Sequence, residues 1–187
     1  MTEKSGQYYM IIDQARDNSS LQELYTTQES VEAEILYLDT PLASGKELSP
    51  WLVKVRPDDP LWQRWQQSND IFSVISVVIH TEQPHEEVLA HLRHLLEFSS
   101  PGGPLWFRYY SLNTLLSLGQ SLPDKRFSIL SGPINKWLII NQQKIMAYSN
   151  EVITPALTHF SEFALSEDEI EQFSTHYSQT KKEEATQ

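Results

Sequence analysis

The 187-residue sequence has no cysteine, which removes disulfide frameworks, thiolate metal sites and cysteine nucleophiles together. Glycine is also scarce, with 6 residues, and no glycine-rich phosphate loop is present. Gly102-Gly103 lies between two prolines and reads as a loop before a strand. Basic residues number 14 against 25 acids and are scattered along the chain, so the clustered cations that neutralise nucleic-acid phosphates are missing. The most apolar run, Phe72-Ser-Val-Ile-Ser-Val-Val-Ile79, is far too short to span a bilayer. The opening residues Met1 to Gln7 contain no apolar signal core, and the expected location is cytoplasmic. Neither nucleic acid nor membrane is an expected partner.

Catalytic signatures are absent as well. There is no G-x-S-x-G elbow, and Ser131-Gly132-Pro133 reads as a turn. Asp58 and Asp59 stand before Pro60, where they serve a helix start better than an acid–base pair. Glu87, His91 and His94 lie at i, i+4 and i+7 on the flank of one helix, the nearest approach to a metal-ligand set. The HExxH pattern is missing, and histidines on a solvated helix flank are the plainer reading. No catalytic residue, no cofactor and no metal ligand is therefore expected.

What the sequence does contain is a dense aromatic stretch, Trp106-Phe-Arg-Tyr-Tyr110, introduced by Pro101-Gly102-Gly103-Pro104. Aromatic side chains favour a pleated surface, and the stretch reads as an interior strand running into a helix capped by Ser111 and stopped at Gly119. Arg108 is the single charge within it, expected to be structural, stacking on rings while pairing with a carboxylate or carbonyls.

Before that stretch, strands are expected at 8–12, 34–38, 50–55 and 72–79, with a short capping-box helix from Ser20 and another from Pro60. The clearest helix opens at Pro84 and carries Val88, Leu89, Leu92, Leu95 and Leu96 on one stripe. Residues 71–110 then have the length of a strand–helix–strand parallel crossover. Strands are expected again at 127–130, 136–140 and 145–148, followed by two short helices, one opened by Thr154-Pro155 and one by Ser166-Glu-Asp-Glu169. The fold class is α/β (α+β), a mixed central sheet flanked by helices with a small helical C-terminal appendage. The expected organisation is a domain over 8–150, an appendage over 151–179 and a disordered tail over 180–187.

Three segments in order carry a family resemblance: Tyr8-Tyr-Met-Ile-Ile-Asp-Gln-Ala15, Ser49-Pro-Trp-Leu-Val53, and Trp106-Phe-Arg-Tyr-Tyr110 followed by Leu130-Ser-Gly-Pro-Ile134 and Trp137. The chain resembles the type VI secretion effector chaperones, also called adaptor proteins. Family members usually have Asp-Pro where this chain has Ser111-Leu112, a change that keeps a helix-capping side chain. The resemblance implies a non-enzymatic cytoplasmic protein that binds a toxic effector and helps load it onto the spike protein of the secretion machine. It names no catalytic residue. An immunity protein that neutralises a toxin, or a small metal-dependent hydrolase, are the alternatives.

The partner-binding surface is expected on the C-terminal helices, where Phe160, Phe163, Ile170, Phe173 and Tyr177 form narrow apolar stripes. The segment from Glu162 to Gln187 holds seven acids against two lysines. A partner segment that is hydrophobic and partly basic is the expected complement.

Overall fold

Strands made of consecutive large apolar residues can be covered only where both faces are roofed, and two such strands set the centre of the molecule. The computed structural model describes residues 6–16, 25–26, 31–67, 76–141 and 143–185. Strand β1 (Gln7–Ile12) lies between β3 (Trp51–Val55) and β4 (Ser76–Thr81), with Met10 opposite Val53 on one side and Val78 on the other. With β2 (Ala33–Ile35), β7 (Lys136–Asn141) and β8 (Lys144–Ser149), they make a six-stranded sheet in the order β2-β3-β1-β4-β7-β8. Every ladder in it is antiparallel.

Side chains alternate across the sheet as the pleat requires. Tyr9, Ile11, Leu52, Val77, Ile79, Trp137 and Ile139 face the larger core. That face is covered by α2 (His85–His94), α3 (Leu112–Ser121) and α4 (Asp124–Ser131). Met10, Ile12, Val53, Val55, Val78 and Ile140 face the other way, against Leu61, Trp62 and Trp65 of α1 (Pro60–Gln66). Trp137 and Trp65 are fully buried, one in each core. The α+β class is thus a sheet with helices on both faces.

Several sequence expectations are corrected. The stretch 104–110 is not an interior strand. Only Gly103–Trp106 forms a strand, β6, and it pairs with β5 (Glu97–Ser100) in a separate two-stranded hairpin. Pro104 explains this, because a residue without an N–H cannot serve a central ladder. After Trp106 the chain dives inward: the Phe107 N–H donates to the Leu96 carbonyl at 2.7 Å, and the Tyr109 hydroxyl donates to that of Leu92 at 3.0 Å. Because the β5–β6 hairpin lies outside the main sheet, β4, α2 and β6 do not form the expected parallel crossover.

Residues 127–130 are helical, not a strand. Pro123 and Asp124 start α4, and Phe127, Leu130 and Ser131 point inward at helical spacing. Gly119 lies inside α3, which continues to Ser121. A Cβ at that position would run into the Tyr148 ring, so the glycine is a close-approach residue and not a stop. Strand β2 ends at Ile35, and the chain turns through Asp39 at φ +59°. The expected capping box at Ser20-Glu23 and the first residues of the 72–79 strand lie outside the described residues.

The C-terminal region is also rearranged. Thr154-Pro155 opens no helix; its backbone is committed to the body, with the Thr154 N–H donating to the Gly132 carbonyl at 3.2 Å. The second expected helix does form as α5 (Glu167–Ala185), and it runs past residue 179 through most of the expected tail. Its capping box is present: the Ser166 N–H donates to Glu169 Oε2 at 2.8 Å and the Glu169 N–H to Ser166 Oγ at 3.3 Å. α5 packs against α3, placing it on the body of the molecule.

Candidate partner-binding groove

The β5–β6 hairpin is held at its base and free at its outer strand. Phe98 packs edge-on to Phe107 with centroids 5.2 Å apart, and Phe107 packs on Tyr109 at 6.1 Å. Leu105 and Trp106, on the outer strand, remain 49% and 52% exposed. Isolated exposed hydrophobes are ordinary; here two large ones lie at the rim of one cavity. Across from them Phe173 and Tyr177 project from α5 with ring centroids 5.6 Å apart. Between the two walls lies a hollow of about 300 Å³ floored by Phe98, Phe107, Thr114 and Leu165.

Arg108 stands at one end of this hollow. Its Nη2 donates to Asp13 Oδ2 at 2.6 Å, and its guanidinium lies 5.7 Å from the centroid of the Tyr110 ring. That is the structural role expected of it, carboxylate pairing together with ring stacking. Asp13 is buried, so the arginine compensates a carboxylate withdrawn from water. Partial burial pulls the Arg108 pKa down, but Asp13 and Tyr110 more than offset this and the net shift is upward. Burial raises the Tyr110 pKa strongly, reinforced by the Tyr37 hydroxyl 3.0 Å away. The phenol is a neutral hydrogen-bonding group.

A second hollow of about 240 Å³ continues from the first and shares Arg108, Thr114 and Tyr177 with it. Its own lining adds Arg16, Ser111, Asn113 and Lys181. Ser111 occupies the N-cap position of α3 as expected, although among the described residues its side chain makes no capping hydrogen bond. Among the described residues, no Asp or Glu lines either hollow.

The five expected partner-binding residues are divided by the fold. Phe173 and Tyr177 reach the groove. Ile170 and Phe173 also rest, half-buried, on the larger core. Phe163 is 1% exposed within that core, with the Arg126 guanidinium 5.1 Å from its ring centroid. Phe160 lies elsewhere, edge-on to His94 at 5.0 Å. Leu105 and Trp106 were hidden by the reading of 104–110 as an interior strand. Pro104, which confines a strand to an edge, was the signal for their exposure.

The histidine flank is not a flank. His91 is fully buried; its Nε2 lies 2.9 Å from the Leu130 carbonyl and the Leu157 N–H donates to its Nδ1 at 3.1 Å. These partners assign the proton to Nε2. Burial lowers the His91 pKa to about 4, outweighing the carbonyl's opposite effect. His94 Nδ1 lies 2.8 Å from the Leu157 carbonyl. Among the described residues no three His, Asp or Glu side chains gather as metal ligands would, and no helix is long and apolar enough to cross a membrane.

No curated protein and no solved structure matches the chain. Residues 8–128 match the model of a family described as a domain of unknown function, DUF4123. The match includes β1 from Tyr8 onward, the β5–β6 hairpin, Arg108 and all of α3, whereas α5 lies beyond it. It spans well over half of the sequence, and the chain therefore belongs to the DUF4123 family.

Proposed function

We propose that this protein is a non-enzymatic adaptor that holds a partner protein in the groove between the β5–β6 hairpin and α5. The partner is a type VI secretion effector, and the adaptor helps load it onto the spike protein. The observation that carries this reading is the pairing of half-exposed Leu105 and Trp106 with Phe173 and Tyr177 across an apolar hollow. Aromatic anchors at a desolvatable hollow are the usual centres of binding energy in protein interfaces. The class of partner comes from the sequence resemblance to effector chaperones; the DUF4123 match spans residues 8–128, which include most of the segments that carry that resemblance.

The test is capture from the native cell with the tagged full chain, followed by mass spectrometry. The reading predicts that an effector is recovered, with or without the spike protein, and that Trp106→Ala abolishes most of the recovery while leaving Tm within a few degrees. Equal recovery by wild type and variant would move the partner site away from the groove. Recovery of no secretion component by either would overturn the assignment.

A further inference from the structure

The chain as a whole carries a net charge of −11, yet the groove is cationic. Arg16, Arg108 and Lys181 converge on the inner hollow, from the turn after β1, the exit of the hairpin and the far part of α5. Basic residues are outnumbered 14 to 25 in this sequence, so three cations meeting with no described acid in the lining is a strong local reversal. Arg108 is partly neutralised by Asp13, but Arg16 and Lys181 are exposed and carry their charge to the surface. The adjoining outer hollow is the aromatic one, and the two share Tyr177.

From this adjacency we propose that the groove takes a partner segment in which a large apolar residue lies next to carboxylates. The apolar residue fills the outer hollow against Trp106 and Phe173; the carboxylates reach Arg16, Arg108 and Lys181. The inference rests on the adaptor reading for the source of the segment. It reverses the partly basic partner that overall acidity suggests. Overall charge sets the long-range field, which salt screens beyond about 10 Å at 0.1 M, whereas side chains in contact with the ligand act inside that distance. Guanidinium groups also offer carboxylates a bidentate geometry.

The experiment uses the full chain, labelled with ¹⁵N at its tryptophan indoles, and two blocked peptides: acetyl-Gly-Leu-Phe-Asp-Glu-Gly-amide and its counterpart with Lys-Lys in place of Asp-Glu. The Trp106 indole signal reports occupation of the outer hollow. The acidic peptide is expected to bind about tenfold more tightly at low salt, a modest advantage summed over a few partly exposed ion pairs, and to lose that advantage as salt rises. The double variant Arg16→Gln, Lys181→Gln spares the Arg108–Asp13 pair and is expected to bind both peptides alike. Equal or tighter binding of the lysine peptide overturns the proposal, as does undiminished discrimination by the double variant. Failure of the peptide test alongside Trp106-dependent capture of an effector sinks the charge assignment alone. Acid-selective peptide binding without capture of any secretion component sinks the adaptor reading alone.

Discussion

Residues 154–166 and helix α5 follow one another and each brings aromatic side chains to the body. The first buries Phe163 to 1% exposure, while the second leaves Phe173 and Tyr177 lining an open groove. The cause lies in where each backbone finds its hydrogen bonds. An irregular segment must satisfy its polar groups on other elements. Here the Ser99 N–H donates to the Phe163 carbonyl at 2.8 Å and the Leu165 N–H to the Ser99 carbonyl at 3.0 Å, while Leu157 is held by His91. Those bonds draw the segment into the body and its side chains with it. A helix satisfies its own backbone, so α5 needs the body only for one stripe and can offer Tyr177 to a partner.

The sharpest way to break this contrast is Phe163→Ala, which should cost about 3–5 kcal/mol in urea unfolding because it empties a filled core site. A cost below about 1 kcal/mol would place residue 163 with the groove side chains instead.

The next effect comes from pH. His91 has its pKa lowered by burial to about 4 in the folded protein, against about 6.5 in an unfolded chain. As pH falls below 6.5 the unfolded state takes up this proton first. Stability is therefore fully present above 6.5 and drains away between 6.5 and 4, by about 3 kcal/mol over that window. Comparing wild type with His91→Gln isolates this from carboxylate titration: the variant should be less stable at pH 7 and show a flatter profile. Parallel profiles would mean that His91 is not the clamp on residues 154–166.

Third in size is Arg108→Met, which leaves the buried Asp13 carboxylate without its 2.6 Å partner. A loss of about 1–3 kcal/mol is expected, the cost of a buried polar group left unpaired. Unchanged stability with lost partner binding would make Arg108 purely an interface residue. Smallest is Trp106→Ala, expected to change stability by less than about 1 kcal/mol because half of this side chain already faces solvent.

How much of this was legible in the sequence follows the same division between local and distant bonding. The apolar run Tyr8–Ile12, the Leu92 stripe of α2 and the Ser166–Glu169 capping box are local signals, and each formed as read. The pairing role of Arg108 was read correctly because a lone charge among aromatics needs a partner, although nothing local named Asp13 and the strand expected to carry it ends at Trp106. The stretch 104–110 failed because β-rich composition does not say which strand will pair with it. Phe127–Leu130 failed because a four-residue run with three apolar side chains fits a strand as well as a helix. Phe163 and Phe173 looked alike as stripe residues; the bonds from Ser99 that separate them arrive from more than sixty positions away in the chain. The cations of the groove were invisible for the same reason, since Arg16, Arg108 and Lys181 meet only in three dimensions.

The most direct measurement of the central claim is hydrogen exchange by mass spectrometry on the full chain, alone and with its captured partner. The account predicts slowed exchange in 103–108 and along 170–181, with 154–166 unchanged because it is already bonded to the body. Protection confined instead to β8 and residues 151–154, beside the larger cavity of about 630 Å³ that Asp124, Lys125 and Glu151 line with both signs of charge, would contradict it.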